Sequence, residues 1–157
     1  MAGLRRPLEG VKVVELATFI AGPCCARYLA DLGAEVITVE NTGKKCVTLD
    51  TKSEAGRGAL EKLIAEADIF ITNIRPNGLK RSNLDYETLH AKYPKLVFGY
   101  VSGYGEKGPD KDLPGFDFTA YFARGGIMGT MYDVDSMPMS PIAGFGDHQV
   151  GMYLASG

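Results

Sequence analysis

A chain of 157 residues suits one domain or a large piece of one, and its 45% hydrophobic and 23% charged residues are typical of a globular protein with a core. A net charge of −2 gives no basic surface for nucleic acid, and no apolar run reaches the roughly 18 residues of a membrane span. Three cysteines, two of them adjacent, form no disulfide framework, so a reducing cytoplasm is the expected compartment.

The N-terminal part of the chain alternates between strand and helix signals. Residues 11–17 are mostly β-branched and apolar, which predicts a buried strand. Pro23 suits the first turn of a helix, and this helix is predicted to run to about Leu32. Residues 34–40 form a second predicted strand. Strand, helix and strand in so short a stretch form a βαβ unit, which implies a parallel sheet.

The alternation continues to residue 101. The patterns predict a short strand at 46–50, a helix at 55–67 capped by Ser53, a strand at 68–73, a turn at 75–78, a helix from Asp85 towards Tyr93, and a strand at 95–101. This order predicts an α/β fold, a Rossmann-like and mostly parallel sheet with helices on both faces.

The last third of the chain has a different character. Residues 103–115 form a long polar loop, and loops of this length in compact domains are often functional. A short helix is predicted at 116–124, followed by an irregular, methionine-rich stretch to residue 141.

Two candidate ligand sites follow predicted strand ends. The turn at 17–23 lies where α/β sheets bind ligands, although an ordinary strand-to-helix turn explains it as well. It lacks the GxGxxG pattern, so binding of a dinucleotide pyrophosphate at this turn is not expected. Residues 73–81 carry three positive charges that suit phosphate groups, and a solvated loop is the alternative interpretation.

Asp147 lies in a glycine-rich setting, directly after Gly146 and before an apolar stretch typical of a helix start. Glycines beside an acid let backbone and ligand approach closely, and a positioned carboxylate suits covalent catalysis. An aspartate before a helix is also a favoured N-cap, so the residues alone leave both roles open. The two histidines, His90 and His148, have no metal-site spacing, and no metal is expected.

Several motifs of the chain are recognisable as a set. They are the stretches 8–17, 21–23, 28–37, 49–50 and 67–69, Asn73, and the pair Gly146 and Asp147. Together they resemble the class III CoA-transferases, a family that includes formyl-CoA transferase, carnitine CoA-transferases and acyl-CoA racemases. The resemblance covers nearly the whole chain. Residues 103–118 and 123–126 look most like the transferases that act on 2-hydroxyacyl-CoA esters.

The resemblance implies that coenzyme A is a substrate and that Asp147 is the nucleophile. The implied activity exchanges CoA between an acyl-CoA, of 2-hydroxyacyl or enoyl type, and a free carboxylic acid through an aspartyl-CoA thioester. The implied CoA contacts are Thr18, Phe19, Ile20, Asn73, Ile74 and Arg81. The full-length parent is expected to be a homodimer.

Three departures from the family pattern bear on function. Phe116 stands where racemases have a histidine, which favours a transferase over a racemase. The segment 39–45 is shorter than in relatives, where a long loop touches CoA. Relatives also continue beyond residue 157, so residues 1–157 are expected to form a single Rossmann-like CoA-binding domain that is incomplete, and its activity alone is left open. The alternative is a non-catalytic CoA-binding or assembly fragment.

Overall fold

The computed structural model describes residues 5–39, 45–137, 139 and 142–157. Five strands form one sheet in the order β3-β2-β1-β4-β5, and every neighbouring pair is parallel. The strands are β1 (Lys12–Leu16), β2 (Glu35–Val39), β3 (Lys45–Val47), β4 (Ile69–Thr72) and β5 (Val97–Tyr100). The predicted α/β fold is confirmed. The predicted end of the second strand, Glu40, and most of the shortened segment 39–45 lie outside the described residues.

Helices connect the strands and continue beyond the sheet. They are α1 (Ala21–Asp31), α2 (Glu54–Ala65), α3 (Pro76–Arg81), α4 (Tyr86–Lys92), a π-helix (Asp117–Arg124), a 3₁₀ helix (Ile127–Thr130) and α5 (Phe145–Ser156). Two predicted caps are confirmed, because the Ser53 hydroxyl accepts the Gly56 N–H at 3.0 Å and the Asp85 carboxylate accepts the Thr88 N–H at 3.2 Å. No described helix has the length and apolar character to span a membrane.

The sheet is covered on both faces, as predicted. Val14 and Phe70 point to one face and pack with Leu60 and Ile64 of α2 and Leu89 of α4. On the other face, a second cluster joins the sheet to α1 and α5, and its members are Val13, Val36, Ile71, Cys25, Ala26, Leu29 and the partly buried Leu154 and Ala155. Burial on both faces explains why the strand sequences read as nearly unbroken apolar runs.

Three predicted local features were wrong in type or extent. Residues 75–78 are not a free turn, because α3 begins at Pro76, where the missing N–H is not needed by the helix. Helix α1 begins at Ala21, two residues before Pro23, and the third helical position tolerates proline for the same reason. The strand predicted at 46–50 is only Lys45–Val47, because the chain then turns through the Ser53 N–H bond to the Asp50 carbonyl at 3.0 Å.

The loop at 103–115 is closed at its neck by two glycines. A Cβ atom on Gly103 would overlap the backbone of Gly115, and the reverse is also true. Farther along the loop, Asp110 pairs with Arg124 of the π-helix, whose guanidinium lies 5.9 Å from the Tyr104 ring centroid. These contacts close the loop and join it to the π-helix.

Candidate active site

A cavity of about 640 Å³ lies at the carboxyl ends of β1, β4 and β5. Strand order reverses between β1 and β4, since the chain leaves β1 for β2 on one side and later returns to β4 on the other. Open α/β sheets bind ligands at such a switch point. Six of the predicted site residues line the cavity together, namely Thr18, Phe19, Ile20, Asn73, Ile74 and Asp147.

Arg81 is the predicted site residue that the structure does not bring into this group. It is the last residue of α3, it is exposed, and it lies outside the cavity lining. The cations that do line the cavity are Arg75, at the start of the same helix, and Lys111, in the loop at 103–115. The charged run at 73–81 therefore does reach the cavity, but through a different arginine.

The ends of β1 and β4 are tied together by side chains. The buried Thr72 hydroxyl donates to the Leu16 carbonyl at 2.8 Å. Just beyond the ends of these two strands, the Asn73 side chain accepts the Thr18 N–H at 2.9 Å and donates to the Thr18 carbonyl at 2.7 Å. Together these bonds fix the turn from which Phe19 and Ile20 enter the cavity lining.

Asp147 does not cap helix α5, so that interpretation of its role was wrong. The N-cap is Gly144, and Asp147 is the third helical residue. Gly144 has φ +77°, a conformation that favours glycine, and a Cβ atom there would lie 2.6 Å from the Ile20 side chain. The helix therefore starts earlier than the acid suggested, and the Asp147 carboxylate is left to face the cavity.

Asp117 holds this helix start in place. Its side chain is only 8% exposed, and its two oxygens accept the Gly144 N–H at 2.7 Å and the Asp147 N–H at 3.2 Å. Both bonds are charge-assisted. Asp117 was not among the site residues predicted from sequence. An acid at the start of a predicted helix was the available signal, but its partners are about thirty residues away in sequence.

The environment of Asp147 raises its pKa. Burial is the largest cause, the nearby Asp117 charge is the second, and His148 opposes both. Asp147 is half-buried and lines the cavity, so the carboxylate keeps contact with any ligand there. A carboxylate that is less well solvated than usual is also a stronger base and a stronger nucleophile once ionised.

One statistical model of a protein family matches residues 8–42 and 40–157, and the family is described as CoA-transferase family III. The chain belongs to CoA-transferase family III. The two matched stretches meet within the segment that the sequence analysis found shortened, at 39–45.

Named relatives of this family III chain are transferases. The cinnamoyl-CoA:phenyllactate CoA-transferase of Clostridium sporogenes is 49% identical, over 95% of this chain and 43% of its own length. The (R)-2-hydroxy-4-methylpentanoate CoA-transferase of Clostridioides difficile is 45% identical, over 96% of this chain and 45% of its own length. This chain therefore spans less than half the length of these two curated relatives.

A solved structure supports the fold of this family III chain. The crystal structure of a CAIB/BAIF family protein from Brucella suis superposes with a TM-score of 0.90 and 35% identity. The match covers 97% of this chain and 48% of that protein. The Rossmann-like architecture found here is thus that of a longer relative over the shared part.

Two further features describe the cavity of this family III chain. Aromatic side chains line part of its wall, including Phe19, Phe116 and Tyr121. Gly146 packs so closely on the Tyr121 ring that a Cβ atom there would overlap it. Among the described residues, no group of three or more His, Cys, Asp or Glu side chains is placed to hold a metal ion.

Proposed function

We propose that this chain carries the nucleophile and part of the CoA site of a transferase that moves CoA from an acyl-CoA to a free carboxylic acid. The observation that carries this proposal is the Asp147 carboxylate, which is half-buried and lines the same cavity as the turn at the end of β1. Family membership supplies the reaction class, and the cavity supplies a nucleophile at the place where α/β sheets bind ligands.

The proposed reaction is a series of acyl exchanges. An Asp147 carboxylate oxygen attacks the thioester carbonyl, the carbon–sulfur bond breaks, and a mixed anhydride and CoA thiolate result. The thiolate then attacks the Asp147 carbonyl of the anhydride, which forms an aspartyl-CoA thioester and releases the donor acid as its carboxylate. The acceptor carboxylate repeats the two steps in reverse and regenerates Asp147. No net proton transfer is needed.

The raised pKa of Asp147 supports this role. Its burial and the Asp117 charge make the carboxylate a better nucleophile than an exposed aspartate. The first turn of α5 brings the positive end of the helix and the Gly146 backbone to the cavity, which suits an oxyanion formed during attack.

The proposed CoA contacts extend from the switch point outwards. Thr18, Phe19 and Ile20 lie beside the pantetheine and thioester, and Ile74 lies towards the adenosine. Asn73 lies on the same side and holds the Thr18 turn. We propose that Arg75 and Lys111, which line the cavity, attract the phosphate groups of CoA. Arg81 lies at the exposed end of α3, outside the cavity, and is proposed to meet phosphates that extend beyond it.

The proposed acyl groups belong to 2-hydroxy acids and related enoic acids with apolar side chains. The names of the two relatives describe cinnamoyl and phenyllactate groups in one case and a branched 2-hydroxy acid in the other. The cavity here offers matching apolar and aromatic surface from Phe116, Tyr121, Leu113, Ile127 and Val150. A racemase is disfavoured because Phe116 brings no acid–base group to the wall.

The full protein is proposed to act as a homodimer. Large apolar side chains are exposed near the C-terminal end of this chain, among them Ile142 at 80% and Tyr153 at 74% exposure. Exposed apolar side chains gain free energy when they are buried against further protein. The length of the relatives leaves room for that surface to be covered by additional chain or by a partner copy.

A trapping experiment tests the nucleophile. The chain is incubated with cinnamoyl-CoA, then with hydroxylamine, and the labelled peptide is located by mass spectrometry. A hydroxamate on Asp147 supports the proposal, and a label on another residue contradicts it. Asp147→Asn should abolish the label, while Asp133→Asn, at an exposed acid of the loop before α5, should leave it unchanged.

A binding measurement separates an enzyme from a non-catalytic module. Calorimetric titration with CoA reports binding by the chain alone, and a turnover assay with cinnamoyl-CoA and phenyllactate reports exchange. Binding without a label on Asp147 identifies a CoA-binding fragment, whereas binding with the label identifies an acyl acceptor.

A further inference from the structure

The turn at Thr18–Ile20 contains a residue in an unfavourable conformation. Phe19 has φ +61°, in the left-handed region that β-carbon-bearing residues rarely adopt. Its side chain is 83% exposed, so burial of the ring does not explain the conformation. Such a backbone persists only where neighbouring structure imposes it, and such sites are common where ligands bind.

The residues on either side of Phe19 are fixed by hydrogen bonds. Before it, both backbone polar atoms of Thr18 bond to the Asn73 side chain, at 2.9 Å and 2.7 Å. After it, Ile20 is the N-cap of α1, and its carbonyl accepts the Cys24 N–H at 2.7 Å. Phe19 is therefore the single link between the end of the sheet and the start of the helix, and it must take up the change in direction.

The conformation directs the Phe19 ring to a defined partner. The ring meets Phe116 edge-on, with centroids 6.5 Å apart and planes at 90°, and both residues line the cavity. Edge-to-face pairs of this geometry are attractive. Phe116 directly precedes Asp117, whose carboxylate holds the start of α5, so the ring pair connects the switch-point turn with the segment that positions Asp147.

We infer that Asn73 is a positioning residue: its amide holds Thr18 so that Phe19 adopts the left-handed turn and places its ring against Phe116 at the cavity wall. Asn73 acts on a bound ligand through this turn. The Asn73 oxygen and nitrogen are both engaged with the Thr18 backbone, so a side-chain contact from Asn73 to a ligand would have to compete with those bonds. The part of this inference that concerns a ligand rests on the proposed CoA site.

Two measurements test, without any ligand, whether the Asn73 side chain holds the Thr18 backbone in place. In Asn73→Ala, the Thr18 amide should exchange with solvent at least about tenfold faster, because it loses its acceptor. The nuclear Overhauser contact between the Phe19 and Phe116 rings should also weaken. Asn73→Asp keeps the acceptor for the Thr18 N–H but places a second oxygen against the Thr18 carbonyl, so an intermediate effect is expected. Asn77→Ala is the matched control, since Asn77 is exposed and lies outside the cavity lining.

Titration with CoA in a double-mutant cycle tests whether Asn73 affects CoA binding through Phe19. Asn73→Ala should weaken CoA binding by about tenfold in the unsubstituted background. In the Phe19→Gly background, which has no ring and adopts a positive φ freely, the same substitution should have almost no further effect. An equal loss in both backgrounds would mean that Asn73 contacts the ligand directly, and the inference would be overturned.

The outcomes distinguish this inference from the proposed function. If the unsubstituted chain does not bind CoA while the Thr18 amide and the ring contact respond to Asn73→Ala as expected, the CoA site is wrong and the positioning role stands. If the chain binds CoA but the amide and the ring contact are unchanged in Asn73→Ala, the positioning role is wrong and the CoA site stands.

Discussion

Two carboxylates meet at the start of α5 and have different tasks. Asp117 is buried, and both of its carboxylate oxygens accept backbone N–H groups, whereas Asp147 is half-buried and lines the cavity. The negative charge of Asp117 also raises the pKa of Asp147, in the same direction as burial. One acid therefore positions the other and makes it more basic, which is a useful arrangement for a nucleophile.

Neutralising Asp147 should stabilise the fold. Because the pKa of Asp147 is raised in the folded chain, the folded state binds this proton more tightly than the unfolded state, and stability falls as pH rises past the unfolded value. Asp147→Asn removes this cost, and its free energy of unfolding at neutral pH should rise by up to about 1 kcal/mol, since solvent screens a half-exposed group. Urea unfolding followed by circular dichroism at acidic and neutral pH measures this.

The same experiment compares two opposing effects on the Asp147 charge: the cost of its burial and its favourable interaction with the N-terminus of α5. A negative charge in the first turn of a helix is favourable by itself, so Asp147→Asn would lower stability if that effect were the larger one. Asp133→Asn is the control, because this exposed acid should change stability by less than about 0.5 kcal/mol. A variant less stable than the unsubstituted chain at neutral pH would show that burial is not the dominant influence on Asp147.

Replacing Asp117 should have the opposite effect on stability. In Asp117→Asn, an amide NH₂ group takes the place of one acceptor oxygen, so the Gly144 or the Asp147 N–H loses its partner in a buried place. The expected cost is about 1–3 kcal/mol, seen as a lower melting temperature. Hydroxylamine trapping at Asp147 should also fall. Asp112→Asn, at an exposed acid in the neighbouring loop, should melt with the unsubstituted chain, and equal melting of Asp117→Asn would refute the role of Asp117.

At the scale of elements, α5 reaches the sheet by packing closely on α1. Gly151 makes this approach possible, because a Cβ atom there would lie 2.8 Å from the Ala21 carbonyl oxygen and 3.0 Å from the Cys25 nitrogen. These are backbone atoms of a helix and have little freedom to move. Gly151→Ala should therefore push α5 away from α1 and destabilise the chain by about 1–3 kcal/mol, measured by urea unfolding.

Gly58 provides a matched control for that substitution. It lies in α2, is exposed, and has no atom within 4 Å of an added Cβ. Gly58→Ala should therefore raise stability by up to about 1 kcal/mol, because alanine favours the helix. If both alanine variants stabilised the chain, close packing of α5 on α1 would not be what Gly151 provides.

The elements themselves were largely predictable from sequence, and their long-range contacts were not. Strand and helix periodicity, together with the caps at Ser53 and Asp85, indicated the order of the α/β unit because these signals are local. The start of α5 at Gly144 depends on Asp117, which is 27 residues away in sequence, and on the space left by Ile20. The hydrogen bonds between Asn73 and Thr18 join residues that are 55 positions apart in sequence. Neither contact has a signature within a short window of sequence.

For the whole molecule, the direction of the strands makes the two edges of the sheet unequal. All five strands point the same way, so the carboxyl edge gathers the turn after β1, the start of α3 and the first turn of α5 around the cavity. Among the described residues, the amino edge has a depression of about 150 Å³, lined by residues that include Lys12, Glu35 and Glu66. A ligand of the size of CoA is therefore expected at the carboxyl edge.

Hydrogen exchange with mass spectrometry tests this asymmetry. With saturating CoA, peptides that contain Thr18–Ile20, Asn73–Arg75 and the first turn of α5 should exchange their amide hydrogens at least about tenfold more slowly. A bound ligand suppresses local opening of the segments that it contacts. Peptides around Leu63 and Glu66 lie at the amino edge and serve as the internal reference. Their exchange should stay within error of the CoA-free chain. Protection at the amino edge instead would place CoA elsewhere on the molecule and contradict the proposed role of Asp147 as the acyl acceptor. No protection at either edge would show that the chain alone does not bind CoA.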